Sequence, residues 1–392
     1  AAPPRPHRVQ EEALQALEQT RAEGNQAGLV VLATGVGKTW LAAFDSQPFH
    51  RVLFVAHRDE ILQQAFRTFR ALRPTARLGF FTGKEKNPNK DVLFASVATL
   101  TRHYLEFHPS SFDYIVMDEF HHACASSYRR LLDYFAPQFL LAITATPERS
   151  DGGDLLSLCN GNVVYRCDLA QAIERELLVP IRYHGVPDTV DYAQIPWRKD
   201  QFDPHSLEHA LATETRAQNC WEQFSALAGQ RTVAFCCSQR HADYMANFFQ
   251  SKGARAVAVY AGPDSAPRSE SLQLLADGEL DILFSVDIFN EGTDLPQVDT
   301  VMMLRPTNSR VLWLQQLGRG LRKATEKTHL TVIDYIGNHR IFLQKLRLVF
   351  SELAACSKLR DSDLKSLLQR LQKGNLELAP GCHVTYQLQA ID

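Results

Sequence analysis

The strongest chemical signal in the sequence is the run Gly28–Thr39, GLVVLATGVGKT. It begins as an apolar, β-branched stretch typical of a buried parallel strand, then breaks into a glycine turn and ends in Lys-Thr. A strand, a glycine loop and a helix start form an anion cradle. Glycines let the backbone approach a polyphosphate, and N–H groups at the helix start point at it. Lys38 would reach the outer phosphates and Thr39 would ligate Mg²⁺, although Leu32 stands where the full phosphate-loop pattern has glycine. The predicted contacts are Thr34, Gly35, Val36, Gly37, Lys38 and Thr39.

A second signal is the pair of adjacent carboxylates Asp118 and Glu119, which follows the apolar run Tyr114–Met117. A buried strand would deliver both to its carboxyl tip. Asp118 suits the shell of a Mg²⁺ ion, which takes few protein carboxylates beside phosphate oxygens and water. Glu119 suits a base that activates or orients a hydrolytic water. The alternative is a solvated turn.

Polar side chains also follow two further predicted strands. His57 and Arg58 come after one, and Ser96 and Thr99 come after the next. The carboxyl ends of strands are where open α/β sheets bind ligands, so these residues could contact phosphates. Ser96 and Thr99 could equally cap a helix, and the sequence does not decide between the two roles.

The second half of the chain repeats the strand–helix alternation without a second phosphate loop. Its segment 313–323 places Arg319 and Arg322 three residues apart, which makes them neighbours on a helix. Planar guanidinium groups clamp a transferring γ-phosphoryl group, so a site shared across a cleft is predicted. The alternative is a basic helix end at the surface.

The bulk composition bounds the class of protein. The 392 residues exceed one compact core, and the formal net charge of -2 excludes a basic surface over the whole chain. We find no apolar run long enough to cross a membrane and no apolar signal core at the N-terminus, so we expect a cytoplasmic protein. The eight cysteines form no C-x-x-C pair, which argues against a zinc or iron–sulfur site.

These patterns predict an α/β fold with two tandem domains built on parallel sheets. We place the first domain at residues 1–151, because Pro147 and the following Ser-Asp-Gly-Gly run loosen the chain there. The second domain is expected at 152–340. A helical C-terminal extension follows at 341–392.

Taken in order, the motifs resemble those of the superfamily 2 helicases of the DEAD/DEAH type, and the likeness extends from about Arg5 to Tyr335. Leu32–Thr39 resembles motif I, Asp118–His121 resembles motif II in its D-E-x-H form, and Thr144–Thr146 resembles motif III. Residues 315–322 resemble motif VI. In detail the chain is similar to bacterial DNA helicases and translocases and to restriction-enzyme motor subunits.

The resemblance implies two RecA-like domains, with ATP in the cleft between them and a nucleic-acid strand across both. It implies γ-phosphate contacts from Gln315, Arg319 and Arg322. It implies nucleotide contacts from Arg5, Gln10, Gly292 and Asp294, and in these contacts Gln10 would bind the adenine. It implies nucleic-acid contacts from His57, Arg58, Ser96, Thr99, Ser238, Glu291 and Thr293. Thr144 and Thr146 would couple hydrolysis to the nucleic acid.

The function expected from the sequence is that of an ATP-dependent DNA helicase or translocase. It would use ATP and Mg²⁺ and bind DNA in preference to RNA. We expect a monomer that does not associate with membranes and that works with a nuclease or DNA-repair partner. Two alternatives stay open: an RNA-dependent ATPase that acts as an RNA helicase, and a nucleotide-gated motor module that needs a partner subunit.

Overall fold

The structure is a computed structural model of the chain. It describes residues 4–118, 125–145, 158–199, 201–286, 295, 297–307, 310–318, 320–354, 366, 369–370 and 377–386. The chain divides into two compact units, Ala1–Asp168 and Leu169–Asp392.

The first unit is built on a seven-stranded parallel sheet. Its strands are β1 Ala27–Leu32, β2 Val52–Ala56, β3 Leu78–Phe81, β4 Val92–Ser96, β5 Tyr114–Asp118, β6 Phe139–Thr144 and β7 Val163–Cys167. They lie in the order β3-β4-β2-β5-β6-β1-β7, and every described pair is parallel. Strands β1, β2, β4, β5 and β6 are buried at every position, as the continuous apolar runs predict.

The helices of the first unit connect these strands. They are α1 Arg8–Ala22, α2 Lys38–Asp45, α3 Asp59–Leu72, α4 Val97–His103 and α5 Ala125–Tyr134. Helix α3 buries an apolar face that contains Ile61, Leu62, Ala65 and Phe69. Phe66 packs at the edge of that face and stacks on Phe80 with ring centroids 4.9 Å apart.

A partly buried ion pair joins the C-terminal end of α1 to that of α2. The Arg21 guanidinium donates to both carboxylate oxygens of Asp45 at 2.7 and 2.8 Å, and the Tyr114 hydroxyl donates to the same carboxylate at 2.5 Å. Arg21 also lies over the Phe139 ring, 5.1 Å from its centroid. These contacts hold α1 and α2 against β5 and β6.

The second unit contains another seven-stranded parallel sheet. Its strands are β8 Ile181–Pro187, β11 Thr232–Phe235, β12 Ala256–Val259, β13 Ile282–Ser285, β14 Thr300–Met303, β15 Leu330–Ile336 and β16 His383–Tyr386. Their order is β12-β13-β11-β14-β15-β8-β16. A separate antiparallel pair consists of β9 Trp197–Arg198 and β10 Gln201–Phe202. The fold class predicted from the sequence, two parallel-sheet α/β domains, is confirmed.

Three of the described helices of the second unit have their N-terminal ends capped by short polar side chains. The described helices are α6 Leu169–Glu174, α7 Pro204–Leu211, α8 Glu214–Leu227, α9 Gln239–Ser251, α10 Arg268–Ala276, α11 Arg310–Gly318 and α12 Arg340–Leu353. Asp203, Thr213 and Ser238 accept hydrogen bonds from the first turns of α7, α8 and α9.

The first sheet reaches further along the chain than residue 151, where the sequence suggests a boundary. Strand β7 pairs with β1, and the two units divide at Asp168–Leu169. Of the strand Val163–Cys167 only Cys167 is buried, so the burial of the strand gives no sign of which sheet it joins. The pairing of β7 with β1 therefore depends on how the whole sheet is connected, and local sequence patterns do not predict that.

The C-terminal segment also differs from the expected helical extension. Helix α12 is followed, after residues that the structure does not describe, by β16, which adds an edge strand beside β8. Lys345 of α12 donates to the Asp334 carboxylate at 2.5 Å, and the Tyr183 hydroxyl donates to its other oxygen at 2.6 Å. Burial raises the pKa of Asp334, while the ammonium of Lys345 opposes that shift. This buried network makes α12 part of the second unit.

Candidate nucleotide-binding site

The loop between β1 and α2 has the backbone that the glycine pattern predicts. Gly35 and Gly37 take φ values of 96° and 94°, in the left-handed region that L side chains rarely adopt. Gly37 is the N-cap residue of α2, and a Cβ atom built on it would lie 2.6 Å from Nε2 of Gln10. Both glycines are therefore favoured by their backbone conformation, and a side chain at position 37 would also displace the Gln10 amide.

This loop fits a polyphosphate in three respects. Lys38 and Thr39 open α2, where backbone N–H groups and the positive end of the helix dipole attract anions. Among the described residues, no side chain caps this helix start. The Thr34 hydroxyl oxygen is buried and has no hydrogen-bond partner within the described part of the chain. A phosphate group would satisfy these donors.

Two further predicted residues lie at the same edge of the sheet. Asp118 ends β5 and is 6% exposed, while Thr144 ends β6 and is 1% exposed. Val31 is opposite Thr144, and Asp118 is opposite Ile143 in the adjacent pairing. Only β6 separates β1 from β5, so the carboxyl ends of these two strands lie roughly 10 Å apart. That spacing suits a metal ion placed between a phosphate loop and a carboxylate.

Several predicted site residues lie outside the described part of the chain. They are Glu119, Thr146, Glu291, Gly292, Thr293, Asp294 and Arg319. Gln315 lies in α11, but its side chain is outside the description. Arg322 follows that helix in the second unit and forms an isolated antiparallel bridge with Leu178.

Residues at the start of α1 contact the phosphate loop directly. The Gln10 side chain is buried; its Nε2 donates to the Gly37 carbonyl at 3.1 Å and its Oε1 accepts from the His7 backbone N–H at 3.0 Å. Both ends of this amide are thus engaged within the protein, and a contact to adenine stays a prediction. Arg5 is exposed.

His7 was not among the predicted site residues. Its ring contacts the carbonyl oxygen of Val36 through Nε2 at 2.8 Å. It is also the N-cap of α1, where it forms a capping box with Gln10. A polar side chain three residues before a glutamine at a helix start was the available sequence signal.

The predicted nucleic-acid contacts that the structure describes lie at or next to helix starts, at the carboxyl ends of strands. Ser96 is the N-cap of α4; its hydroxyl donates to the Thr99 hydroxyl at 2.9 Å and accepts from the Thr99 N–H at 3.4 Å. Ser238 caps α9 in the same way, accepting from the His241 N–H at 3.1 Å. Capping is therefore a role of both serines. His57 is half-buried, and Arg58 is the exposed N-cap residue of α3.

Next to Ser238, the fully buried His241 makes the second unit sensitive to acid. Burial lowers its pKa well below the usual value of 6.5, and the nearby charge of Arg216 lowers it further. In the unfolded chain the ring takes up a proton near pH 6.5, whereas in the folded protein it stays neutral. The contribution of His241 to stability is therefore fully present above pH 6.5 and is lost as the pH falls below that value.

We expect the unfolding free energy to fall on acidification by up to about 1.4 kcal/mol per pH unit from this one group. Urea titrations of the parent and of His241→Gln between pH 7.5 and 5 measure the difference in slope. His205→Gln, which changes an exposed imidazole, is the control. A His241→Gln variant with the parental slope would contradict the assignment.

Comparison with known proteins shows which class of protein has these two domains. Residues 4–149 match the model of the type III restriction enzyme res subunit, and residues 216–324 match that of the helicase conserved C-terminal domain. The two parallel-sheet units are thus tandem RecA-like helicase domains.

Several curated relatives carry helicase, translocase or restriction-enzyme names. IRC3 of Saccharomyces cerevisiae, which is named as an ATP-dependent helicase, is 28% identical over 351 residues, or 84% of this chain and 51% of that protein. The DNA 3'-5' translocase XPB2 of Sulfurisphaera tokodaii is 25% identical, with 78% of this chain and 77% of that protein covered.

Among solved structures, the DNA-bound type ISP restriction-modification enzyme LlaBIII matches with a TM-score of 0.68 at 18% identity, covering 98% of this chain and 31% of that one. At such identity the likeness concerns the fold. The chain belongs to the superfamily 2 helicases. It spans about half the length of the first curated relatives that it matches. No helix in the described part of the chain is long and apolar enough to cross a membrane.

Proposed function

We propose that the chain is an ATP-driven motor that translocates along or unwinds DNA. The observation that carries the proposal is the joint placement of the phosphate loop, the start of α2 and Asp118 at one sheet edge. Lys38 and the loop N–H groups would bind the phosphates of ATP. Thr39 and Asp118 would hold Mg²⁺, which supplies charge neutralisation at the β- and γ-phosphates when bound.

The remaining roles belong to the same proposal and are supported by the family resemblance. Glu119 would orient the attacking water, and Gln315, Arg319 and Arg322 would contact the γ-phosphate. Thr144, buried at the end of β6, would link the phosphate site to the nucleic acid through its own strand. DNA is favoured over RNA by the translocase and restriction-enzyme relatives.

A second candidate is a motor module that hydrolyses ATP only together with a partner subunit or a further segment. It is supported by the small share of the restriction-enzyme relatives that the chain spans. It covers 34% of the type I restriction enzyme EcoKI endonuclease subunit of Escherichia coli.

The deciding experiment is steady-state ATP hydrolysis by this chain alone and with single-stranded DNA, duplex DNA or RNA. We expect stimulation by DNA, with an apparent DNA affinity that falls steeply as salt rises, because backbone phosphates dominate such contacts. Stimulation by RNA alone would make the protein an RNA-dependent ATPase. Hydrolysis that is indifferent to every polymer would show that the chain alone lacks coupling to nucleic acid. No hydrolysis under any condition would reject the motor function for this chain alone and favour the partner-dependent module.

A further inference from the structure

His7 lies just before α1, on the side of that helix that faces the phosphate loop. Its backbone is extended, its ring is half-buried, and it contacts two different elements. Nδ1 lies 3.4 Å from the backbone nitrogen of Gln10, in the first turn of α1. Nε2 lies 2.8 Å from the Val36 carbonyl oxygen, in the phosphate loop.

These two contacts define the tautomer of the ring. Nδ1 faces an N–H group, so it accepts a hydrogen bond and carries no proton. A neutral imidazole then has its proton on Nε2, and this N–H donates to the Val36 carbonyl. Each ring nitrogen therefore has one partner, and the ring bridges the helix start and the loop.

Gln10 adds a parallel bond to the next carbonyl of the loop. Its Nε2 donates to the Gly37 oxygen at 3.1 Å, and its Oε1 accepts from the His7 backbone N–H at 3.0 Å. The capping box thus ties the two side chains to each other as well as to α1. We call His7 and Gln10, with their bonds to Val36 and Gly37, the loop latch.

The loop latch acts on the donors that a phosphate needs. In a planar trans peptide the C=O and N–H groups point in opposite directions. Holding the carbonyls of Val36 and Gly37 toward α1 therefore turns the N–H groups of Gly37 and Lys38 away from α1. Those are the N–H groups at the start of α2, where an anion is attracted.

Helix α1 is itself held at its far end, which makes the latch a fixed support. The Arg21–Asp45 ion pair joins the last turn of α1 to the end of α2. The Tyr165 hydroxyl of β7 donates to Glu12 at 2.6 Å. A helix held by these two contacts presents His7 to the loop at a constant position.

We propose that His7 is a positioning residue of the nucleotide site, which orients the phosphate-loop N–H groups through its Nε2–H···O bond to Val36. The inference rests on the proposed ATP-binding function and concerns a residue without direct contact to the nucleotide. Loss of the bond should loosen the loop and weaken ATP binding without unfolding α1.

The variant that separates positioning from helix capping is His7→Asn. Asparagine is a good N-cap residue, because its side-chain oxygen accepts the same N–H that Nδ1 accepts, but it is too short to reach the Val36 carbonyl. His7→Ala removes both contacts. Arg8→Ala is the matched control, since Arg8 is adjacent and its side chain is 88% exposed.

Two measurements test the proposal on these variants. Hydrogen exchange of the amides at 34–39 should be faster in His7→Asn than in Arg8→Ala, with unchanged exchange in α1. The affinity for a fluorescent ATP analogue should fall about three- to tenfold in His7→Asn, the effect of one lost hydrogen bond. His7→Ala should show the same loss plus faster exchange in the first turn of α1.

Parental exchange at 34–39 in His7→Asn would overturn the proposal, as would faster loop exchange combined with parental affinity. If the parent chain binds no ATP analogue, the proposed function fails while the exchange experiment still decides the role of the loop latch. The two failures are therefore distinguishable.

Discussion

A Lys38→Ala variant should lose ATP hydrolysis by on the order of a hundredfold or more and keep the unfolding temperature of the parent chain. Lys38 is the first residue of α2, directly after the left-handed Gly37. Its ammonium would stabilise charge on the β- and γ-phosphates as the bond to the leaving group breaks. Alanine removes that charge and favours the helix more than lysine does, so the fold should not be weakened.

The control is Lys84→Ala, which removes a lysine of 86% side-chain exposure that lies 3.5 Å from Asp59 in a surface ion pair. Steady-state hydrolysis with saturating DNA and unfolding temperatures would be measured for both variants. We expect the loss in Lys38→Ala mainly in kcat, because contacts that strengthen in the transition state act there. Equal rates for the two variants would exclude Lys38 from the nucleotide site.

The parts of the site that could be predicted are those determined by local backbone and burial. The run from Gly28 to Thr39 combines a β-branched strand with glycines that take positive φ, and the structure has both features. The placement of Asp118 at a strand end follows equally from the apolar run before it. Patterns of this kind need no knowledge of distant parts of the chain.

The parts that could not be predicted depend on contacts between distant segments. His7 meets Val36 because α1 packs beside α2, and no spacing rule links residues so far apart. Strand β16 joins β8 although it has only four residues, and its pairing is set by the sheet edge that β8 leaves open. Ser96 shows a third reason why the site could not be predicted fully. Serine is suited both to helix capping and to phosphate contact, so the residue type alone does not distinguish the two roles.

The largest loss of stability is expected from breaking the buried ion pair between Arg216 of α8 and Asp188, which follows β8. Both side chains are fully buried, with Nε 3.0 Å from Oδ1 and Nη2 3.1 Å from Oδ2. Nη2 also donates to the Leu304 carbonyl at 2.8 Å, and the Tyr192 hydroxyl donates to Asp188 at 2.7 Å. Burial alone would lower the pKa of Arg216, but the Asp188 charge raises it.

Arg216→Met fills a similar volume but leaves Asp188 charged, buried and without its cation. The expected cost is about 3–5 kcal/mol of unfolding free energy. The double variant Arg216→Met/Asp188→Leu removes both charges and should recover much of that loss, because the desolvation penalty disappears with them. Urea denaturation would be followed by tryptophan fluorescence in a Trp40→Phe background, because Trp197, Trp221 and Trp313 then all lie in the second unit.

The matched control is Arg240→Met, because Arg240 forms an ion pair with Glu208 at 3.5 Å while its side chain is 64% exposed. Such a pair contributes about 0–1 kcal/mol, since water and salt screen it. The two arginines thus form the same kind of ion pair but differ in burial. The ratio of the two losses in unfolding free energy therefore measures how much burial increases the contribution of an ion pair to the stability of the second unit. Equal losses in Arg216→Met and Arg240→Met would show that the buried pair is dispensable, and α8 would then be held by its apolar contacts, which include Ala217, Cys220 and Trp221.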